Sequence, residues 1–382
     1  MDNDEAGHGN GHNGHNGHNG HGMGNGNGGS ANRMAMNDGF SYKTFKDFVE
    51  GYKPMIYGKI CDYVPIKEPV AHYKIMRDYI DRQGKYRRPG LLLLTAALYG
   101  VKPSAALLPA AAQQLSEDWI LMQDDAEDDS ELRRGLPAAQ RLYGWVHAIN
   151  ATNTGQIAMW KMLKDFILQA GTEKGDKVYE LFYNMLSYTV EGQYIENQFI
   201  HHTKDLSKAS EDLYMRIVDS KTCFYTIYGP MQIGALVGGA GEKDLTALKE
   251  IGTATGRAFQ IVDDILDMTA DEKHFGKKNN GDLFEGKLTI PVLHMYKNAN
   301  PEEKKRIDAT YAKKRCDKSN EEILYLRELM EKYGSIKYAQ EMVERYGNEA
   351  KATFEKYRSV LPNNEYSPMF LQAVEEMYVR KK

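Results

Sequence analysis

Two short acidic runs hold the residues best suited to chemistry in this sequence. Asp124-Asp125-Ala126-Glu127-Asp128 recurs in form as Asp263-Asp264-Ile265-Leu266-Asp267, so that both read DDxxD. On a helix the first and fifth positions lie roughly 400° apart and return to one face about 6 Å from each other, so their carboxylates converge. Like charges at that spacing destabilise a helix by a few tenths of a kcal/mol, and the arrangement calls for a compensating cation or a fully solvated face. Solvation does not suit the flanks, because each triplet follows an apolar run, Trp119-Ile120-Leu121-Met122 and Phe259-Gln260-Ile261-Val262. With 53 acids among 382 residues, one acidic triplet could arise by chance. Two all-aspartate triplets ending buried helices read instead as holding Mg²⁺, which takes a few carboxylates together with phosphate oxygens.

A cation with so few protein ligands implies a phosphorylated substrate, and phosphate demands basic side chains nearby. Four clusters supply them: Gly84-Lys85-Tyr86-Arg87-Arg88-Pro89 ahead of an apolar helix, Arg133-Arg134-Gly135 after the first triplet, Lys221-Thr222 in a tyrosine-rich helix, and Lys277 with Lys287 after the second triplet. Each alone reads as solvated surface, where most lysines and arginines lie. Their placement around the two triplets marks them. Arginine grips phosphate oxygens in a fork, while lysine offers a point charge.

The elements that must position these groups are helices. From Phe40 onward apolar residues recur at three- and four-residue spacing, with few alternating runs of Val, Ile and Thr. The spacing predicts helices over Leu91–Tyr99, Ala105–Glu131, Gln156–Gln169, Lys177–His201, Glu211–Tyr228, Asp244–Met268 and Glu321–Tyr346, separated by short Gly-, Pro- or Lys-rich breaks. No linker divides them, so residues 39–382 are expected to form one all-α domain, a large helical bundle around a central apolar cavity. Residues 1–38 differ: Gly, Asn and His dominate, with a GHN triplet repeated from Gly11 to Asn19. No core can form there, and a disordered, solvated tail is expected ahead of one that collects Zn²⁺ or Ni²⁺ on its spaced histidines.

Composition narrows the partners. With 49 basic and 53 acidic residues the chain carries a net charge of −4, without the concentrated cationic surface that nucleic-acid binding needs. Cys61, Cys223 and Cys316 are too scattered for a disulfide framework or a cysteine zinc site, and a reducing, cytoplasmic setting is expected. The most apolar stretch, Leu91–Val101, falls short of the roughly 18 residues that cross a bilayer. The first residues lack the cationic start and apolar block of a secretory signal.

Taken in order, these motifs resemble those of the trans-polyprenyl diphosphate synthases, which include the farnesyl and geranylgeranyl diphosphate synthases. The resemblance covers roughly Tyr73 to Tyr296: GKxxRP at Gly84–Pro89, DDxxD with RRG at Asp124–Gly135, GQ at Gly192-Gln193, KT at Lys221-Thr222, FQxxDDxxD at Phe259–Asp267, and GK with DLxEGKxTxP at Gly276–Pro291. It implies a Mg²⁺-dependent, head-to-tail condensation of isopentenyl diphosphate with an allylic prenyl diphosphate, carried out by a homodimer. Asp124, Asp128 and Asp263 would bind Mg²⁺ with Asp125, Asp264 and Asp267 assisting, as a trinuclear cluster once diphosphate is bound. Arg133, Lys221, Thr222, Gln260, Lys277 and Lys287 would contact the allylic diphosphate, with Lys221 and Arg133 steadying the leaving group. Lys85, Arg88 and Arg134 would hold isopentenyl diphosphate.

Two positions depart from that pattern. Glu196 stands after the GQ motif where Asp is usual, and Glu117 stands seven residues before Asp124 where the family generally places His or Gln. A carboxylate about 4 Å from a diphosphate repels it by about 4 kcal/mol at an effective dielectric near 20, so Glu117 is expected to be paired with a cation such as Lys85 or Arg88. Product length is expected to follow from the same helix, where Trp119 lies about 7.5 Å and Ser116 about 12 Å below Asp124. These positions, with Ile120, resemble the family's chain-length determinants. The indole is expected to stop growth early, although simple core packing of Trp119 competes with that reading. Ile120 is smaller than the aromatic of many farnesyl synthases, which favours the twenty-carbon geranylgeranyl diphosphate over the fifteen-carbon farnesyl diphosphate. A terpene cyclase would need no second diphosphate site, and a non-catalytic partner subunit would have lost an acidic motif. Both rank below a synthase.

Overall fold

A computed structural model of the protein describes residues 42–269 and 280–379, all within a unit spanning Asp38–Lys382. The tail expected over residues 1–38 and the candidate Lys277 lie outside the described residues. The chain is built from helices: α1 (Phe45–Tyr63), α2 (Val70–Arg82), α3 (Arg87–Leu98), α4 (Leu107–Glu127), α5 (Ala139–Tyr143), α6 (Trp145–Ala170), α7 (Thr172–Asn197), α8 (Glu211–Val218), α9 (Gly229–Val237) and α10 (Glu242–Thr269), followed by further helices from Gly281 to Tyr378. The expected all-α fold is present. Its one departure among the described residues is a small hairpin, β1 (Leu132–Arg133) paired with β2 (Leu136–Pro137).

Burial explains which helices form the centre. Every residue of α9 and of Pro89–Leu98 in α3 is buried, which is why both are apolar on all faces. Helix α4 is buried without a break from Leu108 to Trp119 and encloses Gln113, Gln114, Ser116, Glu117 and Asp118 on the way. Carboxylates enclosed in this way cost free energy unless they are paired, so Glu117 and Asp118 already require cations from neighbouring elements. After Val218, α8 widens into a π-helical stretch, Asp219–Tyr228, that runs on into α9. This stretch lies wedged between α7 and α10. A Cβ at Gly192 of α7 would sit 2.3 Å from Ser220 Oγ, and one at Gly256 of α10 would sit 2.8 Å from Cys223 Cα. Only glycine lets the helices close that far, and the approach brings Lys221 between the two acidic helices.

The boundaries differ from expectation in two instructive places. Helix α4 stops at Glu127, before the expected Glu131, as the chain turns through Asp129 (φ +52°) into the hairpin that begins at Leu132. The helix expected over Glu321–Tyr346 is two, Asn320–Lys332 and Ser335–Tyr357, parted at Gly334.

Candidate active site

The two acidic triplets end α4 and α10, and each divides its work in the same way. A helix turns 100° per residue, so the second aspartate of DDxxD points away from the face shared by the first and fifth. Asp125 is fully buried and accepts hydrogen bonds from Tyr79 Oη at 2.6 Å and Arg133 Nε at 2.8 Å. Its counterpart Asp264, also buried, accepts from Tyr214 Oη at 2.6 Å and Gln260 Nε2 at 2.8 Å. Both middle carboxylates are thus held by the fold, although the resemblance gave them an assisting part in cation binding. Sequence reasoning missed the two tyrosines, because a single phenol on a helix carries no spacing signal.

The outer aspartates face the space between the helices. Asp124 Oδ1 lies 3.2 Å from Lys221 Nζ and 3.2 Å from Gln193 Nε2 of the GQ motif. Asp128 Oδ2 accepts from Lys287 Nζ at 2.8 Å, while Asp128 Oδ1 is buried with no hydrogen-bond partner. Burial pushes the Asp128 carboxyl up, against the pull of Lys287. Lys221 also pairs with Glu196, so the Glu that stands in place of Asp is engaged at the site. Burial disfavours the charge on Lys221 and Lys287, yet the surrounding carboxylates outweigh it and hold both well above the ordinary lysine value.

Arg133 and Arg134 reach the site through the hairpin. The two-residue turn Arg134-Gly135 has both φ angles positive, +53° and +76°, a shape that needs glycine at its second position. It sends Arg133 back to Asp125, 3.7 Å from Asp124, and sends Arg134 to Asp118 Oδ1 at 2.9 Å and the Tyr79 carbonyl at 2.6 Å. Burial pushes the Asp118 carboxyl up to about 7 even with Arg134 against it. Arg133, assigned to the allylic diphosphate from the sequence, thus also bonds the end of α4.

Glu117 has the cation expected of it. Its Oε1 lies 3.0 Å from Arg88 and 4.0 Å from Arg134, and its Oε2 is buried without a hydrogen-bond partner. Arg88 also donates to Thr226 Oγ1 at 3.0 Å and stacks over Tyr225.

These groups meet around one cleft with two ends. The polar end, of about 610 Å³, is lined by Lys85, Arg88, Arg133, Arg134, Lys221 and Lys287 together with Asp263, Asp264 and Asp267. The apolar end, of about 230 Å³, runs past Asp124 and Asp263 to Trp119, Ile120, Val190 and Tyr225. Thr222 and Gln260 line both ends and are joined by a 2.7 Å hydrogen bond. Ser116 does not line the cleft; it is buried behind it, bonded to Tyr225 Oη at 2.9 Å.

Among the described residues no three His, Cys, Asp or Glu side chains come close enough to hold a cation by themselves. The donor set nonetheless fits Mg²⁺. Hard carboxylate oxygens stand on both walls, one of them the unsatisfied Oδ1 of Asp128, and the remaining ligands of such an ion come from phosphate and water.

Comparison with known proteins places the chain in a family. The polyprenyl synthetase family profile matches residues 70–330. Geranylgeranyl diphosphate synthase of Methanosarcina mazei is 31% identical over 254 residues, 66% of this chain and 76% of the relative. The short chain isoprenyl diphosphate synthase of Methanothermobacter thermautotrophicus is 29% identical over 81% of this chain and 91% of its own. The crystal structure of geranylgeranyl pyrophosphate synthetase from Pyrococcus horikoshii superposes with a TM-score of 0.77 at 28% identity, covering 88% of this chain and 98% of that one. The chain belongs to the polyprenyl synthetase family. It is a trans-prenyltransferase.

Proposed function

We propose that the protein condenses isopentenyl diphosphate with an allylic prenyl diphosphate, head to tail, and releases geranylgeranyl diphosphate. The observation that carries this reading is the single cleft in which a basic polar end, aspartates from both acidic triplets and an apolar end follow one another. Asp124, Asp128, Asp263 and Asp267 would hold Mg²⁺, which when bound supplies positive charge to the departing diphosphate. Lys221 and Lys287 add fixed ammonium charges where that leaving group gathers negative charge. Lys85, Arg88 and Arg134 orient isopentenyl diphosphate so that its double bond meets the allylic carbon. The apolar end keeps water from the carbocation. The new carbon–carbon bond leaves a tertiary cation, and loss of a proton to the released diphosphate restores the double bond. Growth ends when the chain meets Trp119.

Purified protein incubated with Mg²⁺, isopentenyl diphosphate and a labelled allylic diphosphate tests this directly, with chromatography of the dephosphorylated products. A twenty-carbon alcohol is expected. A fifteen-carbon product would make the protein a farnesyl diphosphate synthase, a cyclic hydrocarbon a terpene cyclase, and no product a non-catalytic subunit.

We infer that the protein works as a homodimer in the reducing cytoplasm. Helices α6 and α7 expose Trp145, Ile157, Leu168, Tyr183, Val190 and Tyr194, an apolar face suited to a second copy, and light scattering at about twice the chain mass is expected. The three cysteines are free, and among the described residues no helix is long and apolar enough to cross a membrane.

A further inference from the structure

The second acidic triplet is followed by a segment whose geometry is set from outside the cleft. Arg327, on helix Asn320–Lys332, donates from Nη1 to the Met268 carbonyl at the end of α10 and to Asn280 Oδ1 at 2.8 Å. Asn280 N–H donates in turn to the Asp267 carbonyl at 2.9 Å, and Asp282 N–H to Asp267 Oδ2 at 3.1 Å. Arg315 pairs with Glu285, which lies 2.7 Å from Lys287, and Lys287 reaches across to Asp128. Lys318 is buried and donates to the Leu283 carbonyl at 2.9 Å, within the short helix Gly281–Glu285. Its ammonium lies 5.2 Å from the centre of the Tyr311 ring, and a Cβ at Gly286 would stand 3.1 Å from its Nζ.

We propose that Arg315, Lys318 and Arg327 form a three-point clamp that positions the second acidic triplet and Lys287 for the reaction. Each point is a cation on a carbonyl or carboxylate of the segment that carries those groups, and none of the three belongs to a motif of the family pattern. An ammonium meeting a carbonyl of the last turn of a short helix is favoured by that helix's dipole. Burial pulls Lys318 down to about 8, with Lys204 and Arg315 acting in the same direction and Glu285 and Glu322 against it. A buried lysine is costly to keep, and apolar residues would fill its space more stably unless the hydrogen bond is needed. The isopentenyl end hangs on other supports, since Arg88 is held by Glu117 and Thr226, and Arg134 by Asp118 and Tyr79. The clamp therefore acts on one half of the cleft.

This inference rests on the proposed assignment of the allylic diphosphate to the acidic half. Lys318→Met keeps a long apolar stem and removes the ammonium. It should raise the KM for the allylic diphosphate about tenfold and move the Mg²⁺ dependence to higher concentration, with the KM for isopentenyl diphosphate within about twofold of wild type. Arg327→Gln should act in the same direction, and Arg315→Lys should restore most of what Arg315→Gln loses. A purely structural defect would instead lower the active fraction without splitting the two KM values. Hydrogen exchange reads the clamp independently of activity: amides of residues 280–287 should exchange faster in Lys318→Met while those of α3 and α4 do not. If exchange is faster and the KM values do not split, the substrate assignment is wrong and the clamp stands. If exchange at residues 280–287 is unchanged in the folded variant, the clamp is refuted. Should Lys318→Met fail to fold, Arg315→Gln carries the same two measurements.

Discussion

Glu117→Gln removes one charge from the most crowded part of the cleft while keeping the side chain's size. At 3.0 Å from Arg88 and an effective dielectric near 20, the gross attraction of the pair is about 5 kcal/mol, and the 4.0 Å approach to Arg134 adds about 4. Little of this is expected to appear as lost stability. The glutamine carbonyl can still accept from Arg88, which keeps Thr226 and the face of Tyr225, so a loss of about 1–2 kcal/mol is expected rather than the 3–5 kcal/mol of a broken buried pair. The effect on substrate has the opposite sign. The same carboxylate repels an incoming diphosphate by about 4 kcal/mol at 4 Å, and its loss frees Arg88 to bind phosphate oxygens. If a third of that repulsion survives screening by the neighbouring cations, the change is about 1.4 kcal/mol, or tenfold in affinity.

The expected result is a three- to tenfold fall in the KM for isopentenyl diphosphate, measured at saturating allylic substrate, with the allylic KM unchanged. A rise of more than tenfold in the isopentenyl KM, again with the allylic KM unchanged, would refute the reasoning. It would mean that Glu117 is needed for orientation and that Arg88 binds diphosphate only while the carboxylate holds it in place.

Asp124→Ala and Asp263→Ala should each lower condensation by about 10³-fold with melting temperature nearly unchanged, since Lys221 keeps Glu196 when Asp124 is lost; wild-type turnover at saturating Mg²⁺ in either variant would discard the two-wall mechanism. Asp125→Ala should behave differently, losing about 3–5 kcal/mol in urea unfolding because it takes the two close hydrogen bonds from buried Arg133 and leaves it only the 3.7 Å approach to Asp124. Trp119→Ala should lengthen the product with activity retained, and a well-folded variant making the wild-type product would remove Trp119 from the floor of the cleft. Lys318 predicts a pH dependence of stability: its folded value near 8 lies below the unfolded 10.5, so the unfolded chain binds more protons between them and stability rises with pH in that window. Unfolding free energy should gain roughly 2 kcal/mol more in wild type than in Lys318→Met between about pH 7.5 and 9.5, and equal slopes would show that the lysine is not buried as a charge.

The first half of the site was legible because its signals are local. Spacing alone put carboxylates on the ends of α4 and α10, and the expectation that Glu117 pairs with Lys85 or Arg88 followed from the repulsion a bare carboxylate would exert on a diphosphate, Arg88 being the partner found. What was not legible depends on elements distant in sequence. The hairpin that turns Arg133 onto Asp125 is only two residues a side, too short to show alternation, and its sign was the Gly135 that was read merely as part of RRG. Arg315, Lys318 and Arg327 sit among ordinary lysines and arginines, and only the fold separates a clamped cation from a solvated one.

The echo between the two DDxxD motifs proves to be more than a repeated set of ligands. In each, helical geometry forces the middle aspartate inward, where a buried tyrosine and one further donor hold it: Tyr79 with Arg133 in the first, Tyr214 with Gln260 in the second. Neutralising or binding that inner charge fixes the rotation of the helix end, and the rotation aims the outer pair across the cleft. An acidic helix end that would otherwise fray through self-repulsion is pinned by its own second residue, while the outer positions of the first triplet meet cations across the cleft, Asp124 at Lys221 and Asp128 at Lys287. In the proposed mechanism it is these outer carboxylates that would take up a divalent cation together with diphosphate. Substituting Tyr79 or Tyr214 by Phe should therefore raise the Mg²⁺ concentration needed for half-maximal condensation, although neither tyrosine is among the residues proposed to hold the cation; an unchanged Mg²⁺ dependence in well-folded variants would refute this coupling.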